Sequence, residues 1–172
     1  MNTFSDYHFR IATTDDFSAI WEIILFAKEI RKQEGSSQWQ DGYPNEATIF
    51  ADIQNKYGYV VEFQSEIVGY FAFILGAEPA YESIDGKWVS EQPYAVVHRM
   101  AVSAKGKGKG LSKRMLQKAA ELSVDNNTFS LRIDTNFDNI PMLRTIQTLG
   151  YVYCGEVYFR GSARKAFEKV LR

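Results

Sequence analysis

Residues 94–122, YAVVHRMAVSAKGKGKGLSKRMLQKAAEL, read as a strand, a glycine–lysine loop and a helix in immediate succession. No other stretch constrains the chain as much. Residues 94–102 are rich in β-branched and aromatic side chains, which predicts a strand. Residues 103–110 form the loop. Leu111, Met115, Ala119 and Leu122 then recur at helical spacing, with Leu116 beside them. Gly106, Gly108 and Gly110 let the backbone come close to a bulky group. The first turn of the helix leaves N–H groups unpaired at the positive end of its dipole. Lys105, Lys107, Lys109, Lys113 and Arg114 add positive charge. Such a turn suits a pyrophosphate. Its plainer reading is a lysine-rich surface turn.

The spacing discriminates among phosphate motifs. A P-loop needs lysine and a hydroxyl directly after its last glycine, and Leu111-Ser112 stands there instead. The dinucleotide fingerprint, started from Gly108 and Gly110, meets Lys113 where it needs a third glycine. The hexapeptide Lys105-Gly106-Lys107-Gly108-Lys109-Gly110 fits Gln/Arg-x-x-Gly-x-Gly/Ala. With Met100-Ala101-Val102 before it and the amphipathic helix after it, this segment resembles the coenzyme A loop of the GNAT N-acetyltransferase superfamily. Lys105 replaces the usual arginine or glutamine, keeping charge but losing the planar fork.

Composition narrows the classes. A chain of 172 residues suits one domain with one core, so 1–172 is expected to be a single domain. A net charge of −1 argues against a nucleic-acid binder, and the loop's clustered cations suit a local anion instead. One cysteine, Cys154, excludes an internal disulfide and a cysteine-based zinc cage. No apolar run is long enough to span a membrane, and the first residues lack a signal-peptide pattern, so a cytoplasmic protein is expected.

Taken in order, residues 7–12 read as a strand, and Thr13-Thr14-Asp15-Asp16 supplies caps for a helix over 17–32. Its apolar stripe is Ile20, Ile23, Ile24, Ala27 and Ile30. In the loop 35–44, Trp39 is either a wall of an acceptor site or a plug between helices. A helix capped by Asn45 follows, then strands at 59–64 and 67–75 joined by a turn at Ser65-Glu66; Gly69 marks a candidate bulge. Residues 76–93 are irregular and long for a loop between strands. They combine Glu78, Glu82, Asp85 and Glu91 with Tyr81 and Trp88, which suits a cationic amine; the alternative is a solvated flap. Beyond the central helix come a strand at 129–134, a helix with Pro141 in its first turn ending before Gly150, and two closing strands at 151–159 and 163–171.

The segment LRIDTNFDNIPMLRTIQTLGY extends the resemblance, with Asn139, Met142 and Gly150-Tyr151 at the family's Asn-x-x-Ala and Gly-Phe positions. The resemblance implies an α/β fold. Its mixed, mostly antiparallel sheet would have about six to seven strands, a splayed parallel pair and about four flanking helices. It implies acetyl-CoA as co-substrate, no metal, and a small-molecule or peptide amine as acceptor, and homodimers are common in the family. Cofactor contacts carry over to Met100, Ala101 and Val102 on the strand, to the loop from Lys105 to Gly110, to Leu111 and Ser112, and to Asn139. Asn139 can also be an ordinary helix cap.

Amine acetylation needs a neutral, aligned amine, oxyanion stabilisation and a base. His98 is the base candidate, one of two histidines and two residues before Met100, whose amide is the oxyanion candidate. In one member of the family a histidine at the corresponding spacing serves as base. The plainer reading of His98 is a hydrogen-bonded, half-buried side chain. Many members carry a tyrosine acid seven residues past the asparagine; Ile146 stands there, with Tyr153 and Tyr158 as substitutes. That departure leaves a non-catalytic acyl-CoA sensor as the second hypothesis.

Overall fold

The structure is a computed structural model and describes residues 6–172; the signal-peptide expectation rests on the first residues, of which 1–5 lie outside the described part. Eight strands form a sheet in the order β1-β2-β3-β5-β6-β8-β7-β4, mostly antiparallel with β5 and β6 as the parallel pair. Five helices accompany it. The chain divides into two compact units.

One unit comprises residues up to Ala72 together with Arg99–Leu111. It holds β1 (Tyr7–Ile11), α1 (Phe17–Gln33), α2 (Glu46–Gln54), β2 (Gly58–Phe63) and most of β3 (Glu66–Leu75). Arg10 sets the angle at which β1 feeds α1. Its guanidinium donates to Asp16 at 2.7 and 2.9 Å and to Glu62 at 2.7 and 3.0 Å. Asp16 in turn accepts from the Thr13 amide at 2.7 Å, so the Thr-Thr-Asp-Asp run caps a short 3-10 turn, Thr14–Asp16, that leads into α1, and not α1 itself. Asn45 caps α2 by accepting from the Thr48 amide at 2.9 Å. The predicted stripe of α1 buries Ile20, Ile23 and Ile24 against Ile49 and Ile53 of α2 and Val60 and Tyr70 of the sheet. β2 and β3 join through Gln64 and Ser65, both at positive φ (50° and 63°), which matches the right-handed twist of a two-residue hairpin. The turn therefore lies one residue earlier than expected. Val61 pairs with Gly69 and Glu62 with Ile67, leaving Val68 as the extra residue of a bulge beside Gly69.

The other unit comprises Phe73–His98 and Ser112–Arg172. It holds α3 (Pro79–Glu82), β4 (Asp85–Gly86), the first half of β5 (Ala95–Val102), nearly all of α4 (Leu111–Asp125), β6 (Ser130–Thr135), α5 (Ile140–Thr148), β7 (Val152–Phe159) and β8 (Ser162–Val170). The sheet exceeds the expected six to seven strands, and the helices the expected four, because residues 76–93 hold α3 and β4. Neither is long enough to show a period. β4 exists through one close backbone approach: a Cβ on Gly86 would sit 2.1 Å from the Cys154 carbonyl oxygen, so only glycine fits. The expected splay is present. β5 and β6 pair only at Ala95↔Leu131 and Val96↔Arg132, although both strands run on. β6 then pairs with β8 along its whole length, from Ser130↔Val170 to Thr135↔Lys165. Tyr81, Val96, Val157 and Ala166 form the core on this side, with Trp88, Tyr94 and Phe159 against it.

Halfway along β5, Arg99 adopts a left-handed conformation at φ 54°, which breaks the alternation of faces. Period-two counting therefore does not carry from His98 to Met100 and Val102. The cost of that conformation, about 1–2 kcal/mol, is offset by the guanidinium. It donates to both Asp52 oxygens at 2.7 and 2.6 Å and to the Tyr43 hydroxyl at 2.7 Å. Tyr70 donates its hydroxyl to the same Asp52 carboxylate at 2.7 Å. Burial works against the Arg99 charge, but the bonds to Asp52 and Tyr43 outweigh it and hold the guanidinium protonated. Burial and Asp52 both push the Tyr70 hydroxyl up, so it stays a donor. With the two ion-pair side chains 9% and 4% exposed, Asp52→Ala strands a buried cation. Urea unfolding should register a loss of about 3–5 kcal/mol. A loss below about 1 kcal/mol would mean that solvent already screens the pair.

Candidate active site

The loop between β5 and α4 is held by its own backbone. The Ser103 amide donates to the Val68 carbonyl in the β3 bulge at 2.9 Å. Gly106 and Lys107 donate their amides back to the Ser103 carbonyl at 3.0 and 2.9 Å. Gly106 is required by space: a Cβ there would lie 2.7 Å from Val102 Cγ1 and 2.9 Å from the Val68 oxygen. Gly108 and Gly110 are required by conformation, at φ 75° and 71° with nothing near a built Cβ. The chain thus enters α4 at Leu111 with the first-turn amides pointing out of the helix start. Lys105, at the position of the family's arginine or glutamine, pairs with the Glu66 carboxylate.

In the second unit, His98 is the centre of a compact polar group. Its Nε2 lies 2.8 Å from Glu78 Oε2, and its Nδ1 lies 3.9 Å from Asp134 Oδ1. Tyr81 donates its hydroxyl to that same Asp134 oxygen at 2.7 Å. Burial, reinforced by Asp134, pushes the Tyr81 hydroxyl well above its ordinary range, so it acts as a donor and not as a phenolate. Phe159 closes one side of the imidazole edge-on, 6.0 Å between centroids. Each member is placed by a different element. His98 sits on β5, Asp134 near the end of β6 and Tyr81 on α3. Glu78 immediately precedes α3, as its N-cap.

The aromatic residues expected at an acceptor wall have separate surroundings. Trp39 packs against the isoleucine core of α1 and α2 in the first unit. Tyr81 is 1% exposed. Trp88 donates its indole N–H to the Tyr81 carbonyl at 2.9 Å, and its ring packs at a tilt against that of Tyr81, 5.0 Å between centroids. The Trp88 and Tyr94 rings enclose an internal cation, with the Arg132 guanidinium 4.2 and 3.9 Å from their centroids. These groups line a recess of about 630 Å³ together with Glu82, Lys87 and Glu91.

The family model described as Acetyltransferase (GNAT) family matches residues 21–151. A GNAT-family acetyltransferase structure from Streptococcus agalactiae is 34% identical, with 96% of each chain covered and a TM-score of 0.88. The chain belongs to the GNAT acetyltransferase family. A GNAT-family structure from Listeria monocytogenes shares the fold at 20% identity and TM-score 0.77, covering 96% of this chain and 95% of that one. So does a protein from Salmonella typhimurium, solved with its cofactor acetyl-CoA, at 15% identity and TM-score 0.69 with 97% and 95% covered. No curated protein matches the chain.

For a GNAT chain, the departure at Ile146 has a clear structural context. Ile146 is 0% exposed and serves the core on α5, so no hydroxyl arises there. Tyr153 and Tyr158 stand on β7 at 54% and 49% exposure, and Tyr158 donates to Glu156 at 3.2 Å. Asn139 caps α5, accepting from the Met142 amide at 3.4 Å. Ala101 is buried in the core of the first unit, while Met100 and Val102 are half-buried. Ser112 lies in the first turn of α4. No local pattern in the sequence pairs Glu78 and Asp134 with His98. The signals available were a glutamate held extended before Pro79 and an acidic residue ending a strand. Among the described residues, no helix is long and apolar enough to cross a membrane.

Behind Arg132 lies Glu168, fully buried. It accepts from the hydroxyls of Ser130 at 2.7 Å and Ser90 at 2.5 Å and from the Val89 amide at 2.7 Å. Burial raises its carboxyl, but these donors and Arg132 more than compensate and hold it below the usual range. A depressed folded-state value contributes stability that is complete above the unfolded value, near 4.3, and is lost as pH falls through the folded value. Glu168→Gln should therefore cost about 1–3 kcal/mol at neutral pH. The gap to the parent should close as pH drops below about 4.3, read from urea midpoints across a pH series. A gap independent of pH would disprove the ionised state.

Proposed function

We propose that this GNAT protein transfers an acetyl group from acetyl-CoA to a primary amine of a small molecule or peptide, by direct attack in a ternary complex. The observation that carries the reading is the loop, in a chain of this family. Its left-handed Gly108 and Gly110 open directly onto the α4 N-terminus, with Lys107, Lys109, Lys113 and Arg114 nearby. A crowded Gly106 and two glycines in a conformation that costs other residues free energy make a turn whose backbone can meet a diphosphate. Gly106 to Ser112 would hold that end of the coenzyme, Asn139 the adjoining part, and the backbone of Met100 and Val102 the pantetheine, as an added strand does. Acetyl-CoA supplies the activated thioester.

The chain's own residues would do the rest. His98 takes a proton from the acceptor amine, leaving a lone pair for the acyl carbon. The Met100 amide, just past the left-handed Arg99, stabilises the oxyanion. A thiol of ordinary acidity, near about 8.5, leaves as thiolate and can take its proton from water, which suits a site with Ile146 in place of a tyrosine. The buried Ile146 also favours a second reading, a non-catalytic acyl-CoA sensor.

Incubation with acetyl-CoA and an amine panel separates the two. The enzyme releases coenzyme A only when an acceptor is present, and mass spectrometry finds the acetylated amine. Tight binding without release across the panel indicates the sensor. Gly108→Asp adds left-handed strain and a negative charge at the loop, and calorimetry should show acetyl-CoA affinity reduced at least about tenfold. Unaltered affinity removes the loop assignment. His98→Ala should lower kcat by about 10²–10⁴-fold and change the shape of the pH–rate profile. A profile superimposable on the parent's shows that another group is the base.

A further inference from the structure

We infer that Glu78 is the positioning residue of His98: it holds the ring by Nε2–H and leaves Nδ1 as the nitrogen that takes the acceptor's proton. The inference rests on the reading of His98 as the base and deepens it. Glu78 is fixed from several sides before it meets the histidine. Pro79 restricts it to extended backbone, observed at φ −102° and ψ 115°. Its own amide donates to the Tyr94 hydroxyl at 3.0 Å. Its two carboxylate oxygens are divided: Oε1 accepts from the Ala80 amide at 3.3 Å, and Oε2 faces His98 Nε2 at 2.8 Å. A cap chosen for helix stability alone would be serine, threonine, aspartate or asparagine. The additional methylene of glutamate is what lets one carboxylate serve both the helix start and the imidazole.

The chemistry of the contact fixes the tautomer. An ionised carboxylate only accepts, so the nitrogen facing it carries the proton. That leaves the lone pair on Nδ1. The nearest carboxylate oxygen on that side, Asp134 Oδ1, is 3.9 Å away, beyond hydrogen-bond reach, and already accepts from Tyr81. Nδ1 is therefore not held by Asp134. In the proton step, an N–H bond of the acceptor's ammonium breaks and an N–H bond forms at Nδ1. The amine keeps the electron pair, and the positive charge passes to the imidazolium. Glu78 remains on Nε2–H, and Asp134 becomes a second negative neighbour of the new cation.

The test uses the fact that the chain has two histidines, His8 and His98, so the His8→Gln variant carries one. In that background, long-range ¹⁵N NMR of the ring reports the tautomer with or without substrate. The expected result is Nε2–H in the parent. Glu78→Asp keeps a carboxylate cap on α3 but falls one methylene short of the ring. It should give a mixture of tautomers, with kcat lowered about tenfold or more and KM for acetyl-CoA within about twofold. A melting curve checks that the variant is folded. Nδ1–H in the parent, or a tautomer unchanged in folded Glu78→Asp, overturns the inference. A Glu78-dependent Nε2–H tautomer with no turnover on any amine removes the acetyl-transfer reading, yet upholds the hold of Glu78 on the ring.

Discussion

The ion pair between Arg99 and Asp52 allows β5 to do something a strand ordinarily does not. A left-handed arginine in mid-strand reverses which face the following residues present. Its guanidinium ends 2.6–2.7 Å from both carboxylate oxygens and from the Tyr43 hydroxyl, with Tyr70 donating to the same aspartate. Such a network is costly to desolvate and costlier to break. Residues on either side of Arg99 inherit the constraint. Ala101 turns into the isoleucine core, and Met100 and Val102 remain half-buried.

Before that residue, β5 belongs to the other unit and meets a different kind of charge. His98 is flanked by Glu78 and Asp134, with Tyr81 donating into the second of these. The early end of β5–β6 pairing, at Val96 and Arg132, frees the strand just before His98. Where pairing persists, Arg132 lies between Trp88 and Tyr94 and is backed by Glu168. Those aromatic faces are already in use by an internal cation, so the recess beside them is not an empty aromatic cage.

Local chemistry made much of the architecture readable from residues alone. Asn45, Asn139 and Gly150 bound helices where their side chains or φ values predict, and the loop glycines carry the conformations their spacing suggests. The β2–β3 turn was displaced by one residue because Gln64 and Ser65 are not the residues that advertise a left-handed turn. Residues 76–93 resisted for a related reason. α3 spans four residues and β4 two, too short for periodicity, and β4 depends on a backbone partner about seventy residues away.

Outside residues 76–93, the residues alone established the succession of strands and helices, the family resemblance, and a cation-rich turn opening onto a helix. These follow from periods, caps and spacings that a few neighbouring residues contain. Only the tertiary structure decided that Glu78, His98 and Asp134 meet, that Arg99 is left-handed, and that Trp88 is spent on Arg132. Those outcomes depend on strand register and on side chains from distant segments sharing one dielectric environment. No local pattern encodes a distance between residues that only folding brings together.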